Sequence, residues 1–522
     1  MTNIISLYEK KKQILYHSKW LLLVLVLVIY VTLWIIHPKP LSDSDPLHYA
    51  KNANIISQGK FFEETPNRSF AHRLAVTVPV AAFYKTFGIN TTTTYLWSLI
   101  NALIIITAIW FVMPADSSRM FAILLVASAA PLFKISTSLL PDIVATTFMF
   151  LSSILLYYRQ KVLTYTTGYI WFPLIAAVLL FLAFLSKLSA YWVLPLWILC
   201  FIIDCLQRKF NLILKFYIPV LVLCIILGTL YLLFSKAMWG DFFARLSYMK
   251  ALDGNPIWSW EYRSNWSLIK RLTISPAIML FKYYGIIPIL FFFGLFVVPK
   301  SLRFWAWYSG IIFFLFWFGS ISFKRYEPLT VTYRMILPAL PGMCIVGGYF
   351  FSHVQKQIFG EQILRKVMCL IIITSITFLP MIYVIQKALR RPAAEKIAMQ
   401  LVKKIINANK SSRFLMISSD SRSPKSLRFY FDFSFPENLT AIYMKNISDI
   451  DISHYKEIFF FVRTDRSDFL KSSYGFENFD TQILKQSFPK LYKSSGVYLF
   501  HVVKPFNQYS LKKLYSKFGK GN

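Results

Sequence analysis

Apolar residues in this chain gather into runs of about 20, the length that crosses a hydrocarbon core. The runs predict spans near 19–36, 95–113, 119–134, 138–157, 168–186, 189–206, 212–234, 277–298, 303–320, 333–352 and 365–386. The first run is too long for a cleaved signal peptide and is followed by further spans, so it reads as a membrane helix. Segment 74–89 is apolar but short, and it reads as a helix lying at the outer interface. Beyond about residue 388 the pattern changes. AAEKIAMQLVKKIINA has the spacing of an amphipathic helix, and RFLMISS, LRFYFDF, LTAIYM, EIFFFVR and VYLFHVV read as short β-rich runs. The expected fold is an α-helical polytopic membrane protein with about 11 transmembrane helices over residues 1–387, followed by a C-terminal soluble α/β domain over 388–522.

Basic residues orient the spans, because short cytoplasmic loops retain Lys and Arg. The EKKK run with Lys19, and the loops carrying Arg159 and Lys161, Arg208 and Lys209, Lys300 and Arg303, and Lys356, Arg365 and Lys366, alternate as inside segments. Residues 37–94, 235–276 and the terminal domain are then exterior. Counting 74–89 as a span would invert every later loop.

A chain of 522 residues that is 56% hydrophobic with mean hydropathy +0.51 is not a soluble globule. Its net charge of +33 fits inside loops, an exterior surface facing anionic headgroups and an anionic substrate. No nucleic-acid-binding module and no Gly-rich phosphate loop is present. The cysteines, 200, 205, 224, 344 and 369, all fall inside predicted spans, as small packing residues rather than a metal or redox pattern.

Candidate chemistry lies at the exterior ends of the spans. DSDPLHYA places Asp43 and Asp45 just beyond the first span, where a pair of carboxylates serves as base and electrostatic partner, or binds a divalent cation. A solvated loop or a helix cap is the plainer reading. Mid-depth positions are nearly free of charge, unlike those of a transporter or proton pump. Lys134, Asp142, Lys187 and Lys282 instead stand at exterior ends, with His48, His72 and Arg73 on the same side. Each taken singly also reads as a snorkelling or end-capping residue.

The order of a basic N-terminus, one span, Asp45 to Tyr49, ANIISQG, HRLAVTVPVAAFYKTFG, LLPD, FLAFLSK and YRMILPALPG resembles the GT-C membrane glycosyltransferases. It is most similar to the branch with bacterial aminoarabinose transferases and protein O-mannosyltransferases. The resemblance covers about residues 15–350 and implies transfer of a sugar from a polyprenyl-phosphate-linked donor to an acceptor lipid, glycan or protein on the exterior face. It makes Asp45 the catalytic carboxylate, four residues before Tyr49, with Asp43 assisting. Asp142 matches the family's Pro-Asp at the outer start of a span and positions the first loop. Arg73, Lys187, Arg263 and Arg334 are the candidate contacts of the donor phosphate. Many relatives carry Lys-Pro-Pro where this chain reads AHRLA, so Arg73 stands as a substitute.

A divalent cation such as Mg or Mn is left open, with His72 and Glu63 or Glu64 able to join an aspartate around it. A lipid-linked saccharide flippase and a non-catalytic membrane assembly protein are the alternatives from other classes. The sequons at Asn67, Asn90, Asn265, Asn409, Asn438 and Asn446 fit a chain rich in Asn and Ser. The domain plan points to a bacterial inner membrane with a periplasmic active face.

Overall fold

The structure is a computed structural model, and it describes chiefly residues 20–37, 44–60, 72–163, 171–245, 265–320, 331–359, 396–418, 423–443, 454–463, 490–494 and 497–503. The chain divides into two compact units. One comprises Met1–Ile36, Lys60–Val80 and Tyr95–Val384, and the other His37–Gly59, Ala81–Thr94 and Ile385–Asn522.

The first unit is helical. Its main elements are α1 (Trp20–Ile36), α2 (Thr91–Val112), α3 (Ser117–Ala127), α4 (Ala130–Ser136), α5 (Pro141–Tyr157), α6 (Trp171–Ser186) and α7 (Leu188–Leu206). They continue with α8 (Phe210–Trp239), α9 (Asn265–Leu272), α10 (Ile274–Tyr284), α11 (Ile287–Val297), α12 (Lys300–Phe318) and α13 (Leu340–Phe359). Among the described residues, five helices are long and apolar enough to cross a membrane, or up to seven if each of two bent pairs is one span. The predicted span 365–386 lies almost wholly outside the described residues.

Two predicted spans are broken. The run at 119–134 becomes α3 and α4, bent by 53° where Pro131 opens the second piece. The run at 277–298 becomes α10 and α11, turned by 103° through Gly285, whose φ of 59° and ψ of −126° suit only glycine without strain. Hydropathy sees the apolar run and is blind to the angle within it.

Burial separates the helices by role. Only 17% of the apolar window of α8 is buried, whereas 72% of the corresponding window around α13 is. The central place of α13 follows from its glycines. A Cβ on Gly348 would lie 2.6 Å from the backbone N of Ala122 in α3, and one on Gly347 would lie 3.2 Å from Leu290 Cβ in α11. Small residues bring backbones close where lipid gives no hydrophobic drive for association. Near the end of α7, Asp204 is fully buried, 2.6 Å from Arg159 Nε and 2.8 Å from the Tyr217 hydroxyl, which ties together α7, α8 and the turn that follows α5.

The second unit contains helix α14 (Ser44–Ser57) and a five-stranded sheet in the order β2, β1, β3, β5, β4. The strands are β1 (Phe414–Ser418), β2 (Leu439–Tyr443), β3 (Glu457–Arg463), β4 (Lys490–Ser494) and β5 (Val497–Val503). β1 runs parallel to β2 and β3, while β5 is antiparallel to β3 and β4. Helix 396–408 lays Ala398, Met399, Val402 and Ile406 against Phe414, Met416, Phe459 and Leu499, the amphipathic face expected from its spacing. The run LRFYFDF is not a strand. Residues Ser423–Tyr430 form a helix, α15, because parallel neighbours β1 and β2 need a crossover between them. α14 packs on α15 within this unit.

Candidate active site

Pro141 and Asp142 open α5. Proline suits the first helical turn, where its missing N–H has no partner to lose, and a carboxylate there complements the positive end of the helix. Asp142 is 2% exposed. It is reached from the break between α6 and α7, where Lys187 is extended at φ −154° and ψ 139°. Lys187 Nζ donates to Asp142 Oδ1 at 2.5 Å and stands 3.1 Å from Met335 Sδ. Arg334, beside Met335, and Arg73 act electrostatically on both members of this pair. Three cations, Lys187, Arg334 and Arg73, thus act on the one Asp142 carboxylate.

The turn that carries Arg334 is held from two sides. The Tyr284 hydroxyl donates to the Tyr333 carbonyl at 2.7 Å, and the Tyr333 ring stacks on Tyr283 at 4.8 Å with Lys134 Nζ 4.3 Å from its centroid. Arg271 secures the approach to that turn. It is 2% exposed and donates to the Phe316, Trp317 and Leu329 carbonyls at 3.0, 3.3 and 2.7 Å. Neither Tyr284 nor Arg271 sits in a motif; Tyr284 offers one polar atom in a largely apolar run, and Arg271 follows Lys270 as a second cation at the end of a short amphipathic helix.

His72 adjoins Arg73 but faces another group. Fully buried, it packs on Trp239 with ring centroids 4.0 Å apart, and its Nδ1 is 3.5 Å from the Tyr231 hydroxyl. Among the described residues, no group of three or more His, Cys, Asp and Glu side chains is arranged to hold a metal ion. Beyond Tyr231 stands Arg245, which the sequence reading also missed. It is 7% exposed, interacts electrostatically with the Tyr231 hydroxyl and lies 4.7 Å above the Phe184 ring. An arginine just after a span ordinarily snorkels to water; this one turns inward.

In the second unit, Asp45 lies in the first turn of α14, half-buried, and Tyr49 one turn later is fully buried. The D-x-x-x-Y spacing therefore puts both on one helical face. Asp43, Arg263, Glu63 and Glu64 lie outside the described residues.

No protein-family model and no curated protein matches the sequence. Solved structures do. The chain is similar to ArnT from Cupriavidus metallidurans bound to undecaprenyl phosphate, at 14% identity and a TM-score of 0.52, with 94% of this chain and 99% of that one covered. It is also similar to the archaeal oligosaccharyltransferase AglB from Archaeoglobus fulgidus in complex with an inhibitory peptide and a dolichol-phosphate, at 11% identity and a TM-score of 0.51, over 93% of this chain and 74% of that one. At such identities the likeness carries architecture rather than substrate. The chain therefore has the GT-C fold that its motif order implied.

Proposed function

We propose that the protein is a membrane glycosyltransferase that moves a sugar from a polyprenyl-phosphate carrier to an acceptor lipid, glycan or protein. The observation that carries the reading is the buried Asp142 to Lys187 pair with Arg73 and Arg334 acting on it. A phosphate is the anion such a set suits, and guanidinium groups bind its oxygens in bidentate fashion. Undecaprenyl phosphate and dolichol-phosphate, named with the structural neighbours, support a polyprenyl-phosphate lipid.

In this mechanism an acceptor O–H or N–H attacks the anomeric carbon. The bond from that carbon to the phosphate oxygen breaks, its electron pair leaves with the phosphate, and the acceptor proton passes to the Asp45 carboxylate. Arg73, Lys187, Arg263 and Arg334 neutralise the departing phosphate. Asp142 orients Lys187, Asp43 assists Asp45, and Tyr49 supports the helix that bears it. The setting is a bacterial inner membrane with 11 spans, a cytoplasmic N-terminus and residues 388–522 in the periplasm.

Purified protein supplied with a radiolabelled sugar on a polyprenyl-phosphate donor should transfer the label to an acceptor fraction. Movement of intact donor across vesicles without cleavage of the sugar would replace this reading with a flippase. Reporter fusions after Lys161 and after Asn522 should report the cytoplasm and the exterior respectively; both reporting from one side would overturn the topology.

A further inference from the structure

Arg245 poses a separate electrostatic problem. Its guanidinium is buried, its Nη1 has no hydrogen-bond partner, and no carboxylate pairs with it among the described residues. What it does touch is neutral, namely the Tyr231 hydroxyl and the face of Phe184. Burial pulls the group below its ordinary guanidinium value, with Tyr231 opposing the shift. Leaving a charge inside protein without a counter-ion is costly, and an open N–H on that charge raises the cost further. Such a group is stable in place when a ligand supplies the missing oxyanion.

Its surroundings tie it to the cluster already described. Phe184, beneath the guanidinium, lies in the last turn of α6, three residues before Lys187. His72 approaches Tyr231, while the next residue, Arg73, acts on Asp142 and Lys187. The dipeptide His72 and Arg73 therefore bridges two neighbouring cationic positions. One contains a carboxylate and one does not.

Building on the proposed carrier reading, we infer that Arg245 receives a second anionic group, so that the site is matched to a diphosphate-linked lipid rather than a monophosphate-linked one. A sugar joined to its carrier through one phosphate brings a single negative charge, and through a diphosphate it brings two. The set around Asp142 takes the first phosphate. Arg245, held in place by Tyr231 and Phe184, takes an oxygen of the second through Nη1.

The test measures binding of a short-chain polyprenyl phosphate and the corresponding diphosphate to the purified full-length protein in detergent. Wild type should bind the diphosphate about 10-fold or more tightly than the monophosphate, the worth of one charge-assisted hydrogen bond. Arg245→Met should abolish that preference and leave monophosphate affinity within about 2-fold of wild type. Arg245→Lys should retain part of it. Tyr231→Phe, which keeps the ring and frees the guanidinium, should narrow the preference and covers the case in which Arg245→Met does not fold. Equal affinities in wild type, or equal weakening of both lipids by Arg245→Met, would overturn the second anionic position while leaving the carrier reading intact. Wild type that binds neither lipid would remove the carrier reading and this inference with it.

Discussion

The ion pair between Asp142 and Lys187 yields an asymmetric prediction. Asp142→Asn keeps the shape of the carboxylate but takes away the anion that the buried Lys187 ammonium contacts, while Arg73 and Arg334 still act on that ammonium. Removing one partner of a buried pair costs about 3–5 kcal/mol, and repulsion within the cationic set puts this variant at the upper end. Lys187→Met removes a cation instead. Asp142, 2% exposed, then retains Arg73, Arg334 and the N-terminus of α5, so the cost falls to about 1–3 kcal/mol. The double variant should be less damaging than the sum of the two, with a coupling of about 1–3 kcal/mol. Unfolding midpoints of the four proteins in one detergent, converted to a double-mutant cycle, measure all three quantities. If Lys187→Met destabilises as much as Asp142→Asn, or the two effects simply add, the account of one carboxylate serving three cations is wrong.

Further expectations concern ligand, chemistry and packing. Arg73→Ala and Arg334→Ala should each weaken polyprenyl-phosphate binding by roughly 10-fold to 150-fold, equal to about 1.5–3 kcal/mol, with near-normal expression; unchanged affinity in both would move the phosphate site elsewhere. Asp45→Asn should lower turnover by about 10²–10⁴ in a protein that still folds and inserts, and Asp43→Asn should cost less; full activity of the Asp45 variant at saturating donor and acceptor removes its role as base. Gly348→Ala should destabilise by about 1–3 kcal/mol, since its Cβ would strike the Ala122 backbone. Gly228→Ala, which meets nothing within 4 Å, should not destabilise, and similar thermal midpoints for the two would contradict the close packing of α13.

The legible parts of this molecule were those written in long-range pattern. Apolar runs marked the helices, and Asp142 and Lys187 stood out because the runs are nearly free of charge at mid-depth and these two fall at ends on the same side. Their pairing joins positions 45 residues apart, a relation that no local window contains. Arg245 escaped notice because a sequence does not say whether an arginine after a span turns outward to water or inward. LRFYFDF misled because a short apolar stretch suits strand and helix alike, and only the parallel pairing of β1 with β2 decides. β4 was overlooked for the opposite reason: KLYKS is polar, as befits an edge strand whose lysines discourage pairing with another chain.

Arg271 has an electrostatic consequence beyond holding its loop. The last carbonyls of a helix together present roughly half a negative charge, and Phe316 and Trp317 lie in the last turn of α12. By covering the Phe316 and Trp317 carbonyls, the guanidinium cancels it at the source. Arg271 also grips Leu329, on the segment leading to Arg334, so the shield and the tether are one side chain. A neutral replacement would release Leu329 and leave the negative end of α12 uncompensated.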